Sequence, residues 1–360
     1  MPGSPTRSLH GCVEAFAASR ANKIAIADVR GRLTYAQLNA RANRLAHALI
    51  DAGVGRDAIV GLSTRAGVDT IVGMLGIMKA GGAYLPLDPD LPNRRLARIT
   101  AIAEPMAIVA DEPDATRQQA PGVRLVRVDA PGRAETNPGL AISAAQLCYV
   151  MFTSGSAGEP KGVMVSHGNL ERLFEGIGPR LDIAGDDIWS SFHTCAFGFS
   201  VWEIRGALCH GGSLVMVPPA LRTDPRGFAR LIRDEGVSVV SQTPSAFRQN
   251  FLDDGVAPED FGSALRAIVL SGEAAAGEDI RRWFSRAGDA GPALFNKYAI
   301  TETSGQLTVH EYGRDRLDDA TLRSVGRPLP HAELHILDER KRPVRSGEVG
   351  ELFVAGPGVA

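Results

Sequence analysis

Short apolar runs alternate with helical patterns along most of this chain, and that alternation confines it to a small set of folds. Strand signals fall at 58–62, 106–110, 123–128, 147–153, 162–165, 213–217, 237–240, 265–270 and 293–298. One helix signal begins at Thr34, with Leu38, Ala42, Leu45 and Leu49 at helical spacing and Gly53 as a stop. Others fall at 68–80, ending at Gly81-Gly82, and at 169–176, 201–209, 225–234 and 278–287. The pattern predicts an α/β fold: a mainly parallel sheet with helices packed on its faces. The polar stretch 112–121 reads as a loop, and the Pro- and Gly-rich stretch 131–140 as a linker. A first α/β lobe is therefore expected over residues 1–140 and a second over 141–311. From about Tyr312 the pattern changes. Strands at 332–337 and 349–355, around the charged turn 338–345, begin a small β subdomain expected over 312–360. The last residues, Gly356 to Ala360, carry no closing element, so a fragment of a longer chain is expected.

Composition narrows the function classes. At roughly 100–200 residues per domain, 360 residues make two or three lobes. Hydrophobic residues at 44% and charged residues at 22% argue against long disorder, collagen and simple coiled coil. A net charge of −2 offers no basic face, so no nucleic-acid partner is expected. No run approaches the ~18 apolar residues of a membrane span, and residues 1–10 hold no apolar signal region. Cys12, Cys148, Cys195 and Cys209 lie far apart without a C-x-x-C pair. They read as buried thiols, and the expected location is cytoplasmic. Of the 39 basic residues only Lys23, Lys79, Lys161, Lys297 and Lys341 are lysine, which makes each worth inspecting. Hydrolase readings find neither G-x-S-x-G nor H-E-x-x-H.

The most informative stretch is Thr153-Ser-Gly-Ser-Ala-Gly-Glu-Pro-Lys-Gly162, set between two apolar strands. Small hydroxyl residues and glycines let a backbone bend around phosphate and present N–H donors, while Lys161 adds charge. A flexible Gly/Ser turn is the plainer reading. A Walker loop does not fit, because Pro160 precedes the lysine and Gly162 follows it.

The run resembles the phosphate loop of adenylate-forming enzymes: nonribosomal peptide adenylation domains, acyl- and aryl-CoA ligases and luciferases. The family pattern is T-S-G-S/T-T-G-x-P-K-G, and Ala157 stands where Thr is usual. Five further segments follow the family's order. They are Leu33-Thr-Tyr-Ala-Gln-Leu38, Met78-Lys-Ala-Gly-Gly-Ala-Tyr-Leu-Pro-Leu-Asp88, Ala196-Phe-Gly-Phe-Ser-Val-Trp-Glu203, Asn296-Lys-Tyr-Ala-Ile-Thr-Glu302, and Val349-Gly-Glu-Leu-Phe-Val-Ala-Gly-Pro-Gly-Val-Ala360, which stops inside its motif. The second motif favours the peptide-synthetase branch. The resemblance implies the N-terminal core of an adenylate-forming enzyme: two sheet-helix lobes plus a small β subdomain.

Roles follow from matching positions, as the resemblance implies them. Thr153, Ser154, Gly155, Ser156, Gly158 and Lys161 would hold the phosphates of ATP. Tyr298 would stack on adenine, Asn296 would meet its amino edge, and Gly272, Glu273 and Ala274 would wall the base. Thr301 would donate to the α-phosphate and Glu302 would hold Mg2+, a hard cation that prefers carboxylate and phosphate oxygens. Phe192 and His193 would line the carboxylate entry. The acid pocket would comprise Gly198, Phe199, Trp202, Ser241, Val269, Ser271, Lys297, Gly305 and Gln306.

Relatives that activate α-amino acids place an Asp at position 198 to pair with the substrate ammonium. This chain has glycine there and a cation at Lys297. An aryl, hydroxy, keto or unusual amino acid is therefore expected, unless Glu203 replaces the missing carboxylate or Lys297 reaches solvent. The expected reaction joins a small carboxylic acid to ATP, giving acyl-AMP and pyrophosphate. An acyl or peptidyl carrier protein would then take the acyl group on its phosphopantetheine thiol. The alternatives are acyl- or aryl-CoA ligation and a non-catalytic nucleotide-binding fragment. The latter draws on the family's C-terminal subdomain, whose catalytic lysine has no counterpart in this sequence.

Overall fold

In the computed structural model, residues 8–113, 116, 120–154, 159–174, 176–288 and 291–360 are described, the side chains of Ser154 and Gln306 excepted. Their strands are β1 (Ile24–Asp28), β2 (Gly31–Thr34), β3 (Ile59–Ser63), β4 (Ala83–Pro86), β5 (Ala107–Ala110), β6 (Arg124–Arg127), β7 (Leu147–Ser154), β8 (Pro160–Ser166) and β9 (Ile188–Ser191). They continue with β10 (Ser213–Met216), β11 (Val239–Gln242), β12 (Ala267–Leu270), β13 (Ala293–Ile300), β14 (Gly305–Tyr312), β15 (Arg327–Pro328), β16 (Glu333–Leu337) and β17 (Glu351–Ala355). A six-stranded sheet runs β6-β5-β3-β4-β7-β8, and a nine-stranded sheet runs β15-β14-β13-β12-β11-β9-β10-β1-β2. Strands β16 and β17 form a separate antiparallel ribbon.

Both large sheets are mainly parallel, with antiparallel pairing at one edge of the smaller and at both ends of the larger. β3, β4, β5, β6 and β7 pair in parallel, and β8 closes the edge antiparallel to β7. In the larger sheet β1 and β9 through β13 are parallel, while β2, β14 and β15 are antiparallel. The near-continuous apolar runs have a direct cause. Along β12, Ala267 and Val269 enter one core while Ile268 and Leu270 enter another. A strand covered on both faces has no polar side to alternate with.

Three cores follow. The first lies between the two sheets and holds Val60, Tyr84 and Tyr149 from one and Ile26, Trp189 and Val269 from the other. The helix Val68–Lys79, buried along its whole length, fills it together with Phe199–Leu208. The second core packs Phe228, Phe247 and Trp283 on the outer face of the larger sheet, and the third packs Leu96 and Ile99 on the outer face of the smaller. The helix Tyr35–Asp51 starts at Thr34, as its spacing predicts. Thr34 Oγ1 accepts from the Gln37 N–H, and Gln37 Oε1 accepts from the Thr34 N–H, a reciprocal cap.

The sheets do not divide at residue 140. β1 pairs with β10, Ile26 opposite Leu214, and β7 pairs with β4, Tyr84 opposite Tyr149. Each sheet thus takes strands from both sides of the expected boundary, because an apolar strand needs a partner with two covered faces wherever in the chain that partner lies. The stretch 131–140 connects β6 to β7 of one sheet and is no link between lobes. The helix expected at 169–176 is shorter and earlier, at His167–Glu171. Ser166 caps it by accepting from the Asn169 N–H at 3.2 Å. All four cysteines are free; Cys148 is buried, whereas Cys12, Cys195 and Cys209 are half-buried. Among the described residues no helix is long and apolar enough to cross a membrane.

His10 and His167 meet edge to face inside the first core, ring centroids 5.6 Å apart. Burial, then the charges of His167, Lys79 and Arg205, pushes His10 down to about 3. Burial, then Arg205, pushes His167 down to about 4 against a smaller opposing pull from Asp57. Both rings stay neutral in the fold and take a proton near 6.5 once unfolded. Stability therefore falls as pH drops below about 6.5, with each ring adding a slope of up to about 1.4 kcal/mol per pH unit until its folded pKa is reached. Urea midpoints measured from pH 7 to pH 4 should fall steadily, and less steeply in His167→Gln. A flat profile over that window contradicts the assignment.

Candidate active site

Two hairpins, one from each sheet, turn toward the same space. In the first, Thr153 on β7 stands opposite Lys161 on β8, and Ser154 opposite Pro160. Its tip, with Gly155, Ser156 and Gly158 of the expected phosphate loop, lies outside the described residues, as does the Ser154 side chain. In the second, β13 passes through the turn Thr301–Thr303 and Ser304 into β14, with Ile300 opposite Gly305. Thr303 Oγ1 donates to the carbonyls of Ile300 and Gly305, both at 3.0 Å, and so ties the two strands together at the turn. Ser304 takes a left-handed φ of 56°.

A cavity of about 500 Å³ lies between the hairpins. Thr153 and Lys161 stand on one wall, and Thr301, Glu302 and Gly305 on another. Gly198, Phe199 and Trp202 enter from the start of the helix Phe199–Leu208, and Ser271 and Gly272 from just past the end of β12. This is where parallel α/β sheets place their sites, beyond the carboxyl ends of the strands. A second cavity of about 420 Å³ adjoins it and shares Gly272 and Lys297. Asn296, Tyr298, Glu273 and Ala274 line this second space. Glu273 is fixed there by the Ser245 N–H, which donates to Oε2 at 3.2 Å.

The part of the larger cavity around Lys297 is short of negative charge. Lys297 is only 4% exposed, so it does not reach solvent. Its Nζ lies 4.1 Å from the Phe199 ring centroid and 4.5 Å from that of Trp202. Burial pushes Lys297 down to about 7, with Glu203 pulling weakly upward. Glu203 cannot stand in for the absent Asp. Its fully buried carboxylate accepts from the Phe192 and His193 N–H groups, each at 3.2 Å, and contacts His193 Nδ1 at 2.9 Å. At Gly198, by contrast, an added Cβ would meet only the Met151 sulfur, at 3.9 Å.

Some expected residues stand elsewhere. His193 stacks on the back of Phe199 and lines a separate cavity of about 320 Å³ with Arg222 and Asp88. Phe192 belongs to the second core. Ser241 and Val269 are buried within β11 and β12, one residue short of the strand ends, where packed neighbours cover them. The Gln306 side chain lies outside the described set. Tyr149, Phe197 and Ser304 line the larger cavity without having been singled out, although Phe197 and Ser304 flank quoted motif positions. Arg323 and Val325 line the smaller one, and no local pattern in the sequence signals them.

A family model described as AMP-binding enzyme matches residues 13–360. The chain belongs to the AMP-binding enzymes. It is 38% identical to syringomycin synthase SyrB1 of Pseudomonas syringae pv. syringae over all of this chain and 59% of that protein. It is 40% identical to a dimodular nonribosomal peptide synthase of Bacillus subtilis, over 98% of this chain and 16% of that protein. It thus spans less than two thirds of either relative. Among solved structures, the nonribosomal peptide synthetase FmoA3 superposes with a TM-score of 0.89 at 26% identity, covering 98% of this chain and 38% of that one. The N-terminal subdomain of Klebsiella oxytoca NpsA, solved with 3-hydroxybenzoyl-AMSN, superposes at 0.84 with 24% identity, over 98% of this chain and 88% of that one. This AMP-binding enzyme has the fold of those synthetase and N-terminal-subdomain structures.

In this AMP-binding enzyme two of the three glycines that line the larger cavity differ in kind. Gly305 has φ +153°, and a Cβ there would fall 2.2 Å from Leu173 Cδ1. Gly198 has φ −54° and ψ −22°, open to any residue. Gly305→Ala should cost about 1–3 kcal/mol of stability and Gly198→Ala less than about 0.5. Chemical denaturation of both variants checks this; equal losses would contradict it.

Proposed function

We propose that the larger cavity activates a carboxylic acid with ATP, that the adjoining cavity holds adenine, and that the acid has no α-ammonium. The acid's carboxylate oxygen attacks the α-phosphorus, the bond to the bridging oxygen of pyrophosphate breaks, and pyrophosphate leaves with the electron pair. The product acyl-AMP passes its acyl group to the phosphopantetheine thiol of an acyl or peptidyl carrier protein, and AMP leaves. Such a displacement needs positioning and charge neutralisation more than covalent help from the protein.

The convergence of the two hairpins carries this reading. Lys161 and Thr153 face Thr301 and Glu302 across the larger cavity, while Tyr298 and Asn296 line the smaller one beside it. One strand, β13, serves both sites: Asn296 and Tyr298 line the smaller cavity, and Lys297 between them lines both. Among the described residues no group of three or more His, Cys, Asp or Glu could hold a metal, and Glu302 lines the cavity alone among carboxylates. That donor set fits Mg2+, which binds through one or two carboxylates plus substrate phosphates. When bound, Mg2+ neutralises phosphate charge.

The acid assignment rests on Gly198, Lys297 and the occupied Glu203. An ammonium beside Lys297 would meet a cation, while Glu302, the carboxylate that lines the cavity, is assigned to the phosphate end. Like charges about 4–6 Å apart in a partly buried site cost on the order of several kcal/mol. Acid-dependent ATP–pyrophosphate exchange on matched pairs tests the reading, using an aryl, hydroxy or keto acid against the amino acid of the same shape. The acid without the ammonium should be used at least about tenfold better, since 1.4 kcal/mol is a factor of ten. Gly198→Asp, for which the cavity has room, should narrow or reverse that ratio. A wild-type preference for the amino acid would overturn the proposal.

A further inference from the structure

We propose that the acid carries a second, distal carboxylate, and that Lys297 is the residue that selects it. This deepens the reading above and rests on its placement of the acid in the larger cavity. Three observations converge. First, Lys297 Nζ lies inside the site, over the rings of Phe199 and Trp202, and makes no hydrogen bond or ion pair with any described residue. The ring faces attract a cation but offer no lone pairs, so its three N–H donors have no acceptor there.

Second, no protein carboxylate is free to answer it. Glu203 is held by two backbone N–H groups and His193. Glu302 stands in the turn after β13, at the phosphate end. An uncompensated buried cation is among the most unfavourable arrangements in a protein interior, and a ligand anion removes that penalty where a methyl or amide does not.

Third, the spacing suits a bifunctional acid. Lys297 lies on β13, which ends at Ile300, and Thr301 opens the turn that follows, so their backbones lie at most about 13 Å apart at about 3.3 Å per residue. The lysine side chain spans part of that interval. The rest accommodates a short chain or single ring between the reacting carboxylate at Thr301 and a second carboxylate at Nζ. Burial also leaves Lys297 near the edge of ionisation, down to about 7, and an arriving carboxylate would hold its proton in place.

Titration calorimetry on this chain with saturating AMP tests the proposal. The probes are isophthalate against 3-methylbenzoate, and the linear dicarboxylates from succinate to pimelate against monocarboxylates ending in an isopropyl group. At least one dicarboxylate should bind ten- to a hundredfold more tightly than its isostere. Lys297→Met should erase that ratio, while Lys297→Arg keeps part of it, each variant being measured at AMP concentrations that saturate it. A ratio of one or less in the wild type, or a ratio untouched by Lys297→Met, would overturn the proposal; so would failure of every dicarboxylate to bind. The wild-type ratio stands even should Lys297→Met fold poorly. L-Glutamate separates the two readings. Its binding more tightly than glutarate, with the same dependence on Lys297, supports the distal-carboxylate pocket while removing the claim that the acid lacks an α-ammonium.

Discussion

The helices Val68–Lys79 and Phe199–Leu208 are buried along their whole lengths because they lie between two sheets. A shared helical layer forces close approach, and the sequence accommodates it with small residues at the crossings. Gly76, for example, leaves room for Leu45, whose Cδ2 would sit 2.6 Å from an added Cβ. The arrangement also fixes where chemistry can occur. The sheets are covered by cores on their faces, and the two large cavities of the site open beyond the strand ends. Two antiparallel edge hairpins, β7–β8 and β13–β14, reach into the same opening.

Most of the secondary structure was legible because parallel strands buried on both faces read as unbroken apolar runs. The Thr34 cap, the helix Pro225–Asp234 and the β16–β17 ribbon stand where spacing places them. Pairing was not legible. Nothing local in Ile24–Asp28 says that it lies beside Ser213–Met216, because register is set by a core that the whole chain builds. The same limit separates the site residues. Thr153, Lys161, Tyr298 and Glu302 sit on hairpins whose motifs carry their geometry with them. Ser241 and Val269 lie within strands, where a shift of one or two residues decides between cavity wall and core. His193 sits in a quoted neighbourhood but faces the other way, toward Glu203.

Charge placement ties the fold to specificity. Glu203, on a helix buried among two sheets, is compensated by backbone N–H groups and His193, and this leaves the acid pocket with Lys297 as its charged side chain away from the phosphate end. Glycine at 198 withholds the counter-charge that a substrate ammonium would need, and the same glycine leaves space beside Met151. On the proposed reading, specificity follows from which charges are already answered by the protein and which are left for the ligand.

On the proposed reading the two hairpins define one nucleotide site, with the base against Tyr298 and the phosphate between Thr153, Lys161 and Thr301. A crystal structure of this chain soaked with AMP tests it most directly. The account predicts adenine in the smaller cavity, packed on the Tyr298 ring and beside Gly272, Glu273 and Ala274, with phosphate oxygens within hydrogen-bond distance of Thr301 or Thr153. Adenine bound in any other cavity, or AMP lying with its phosphate against Lys297, would contradict it.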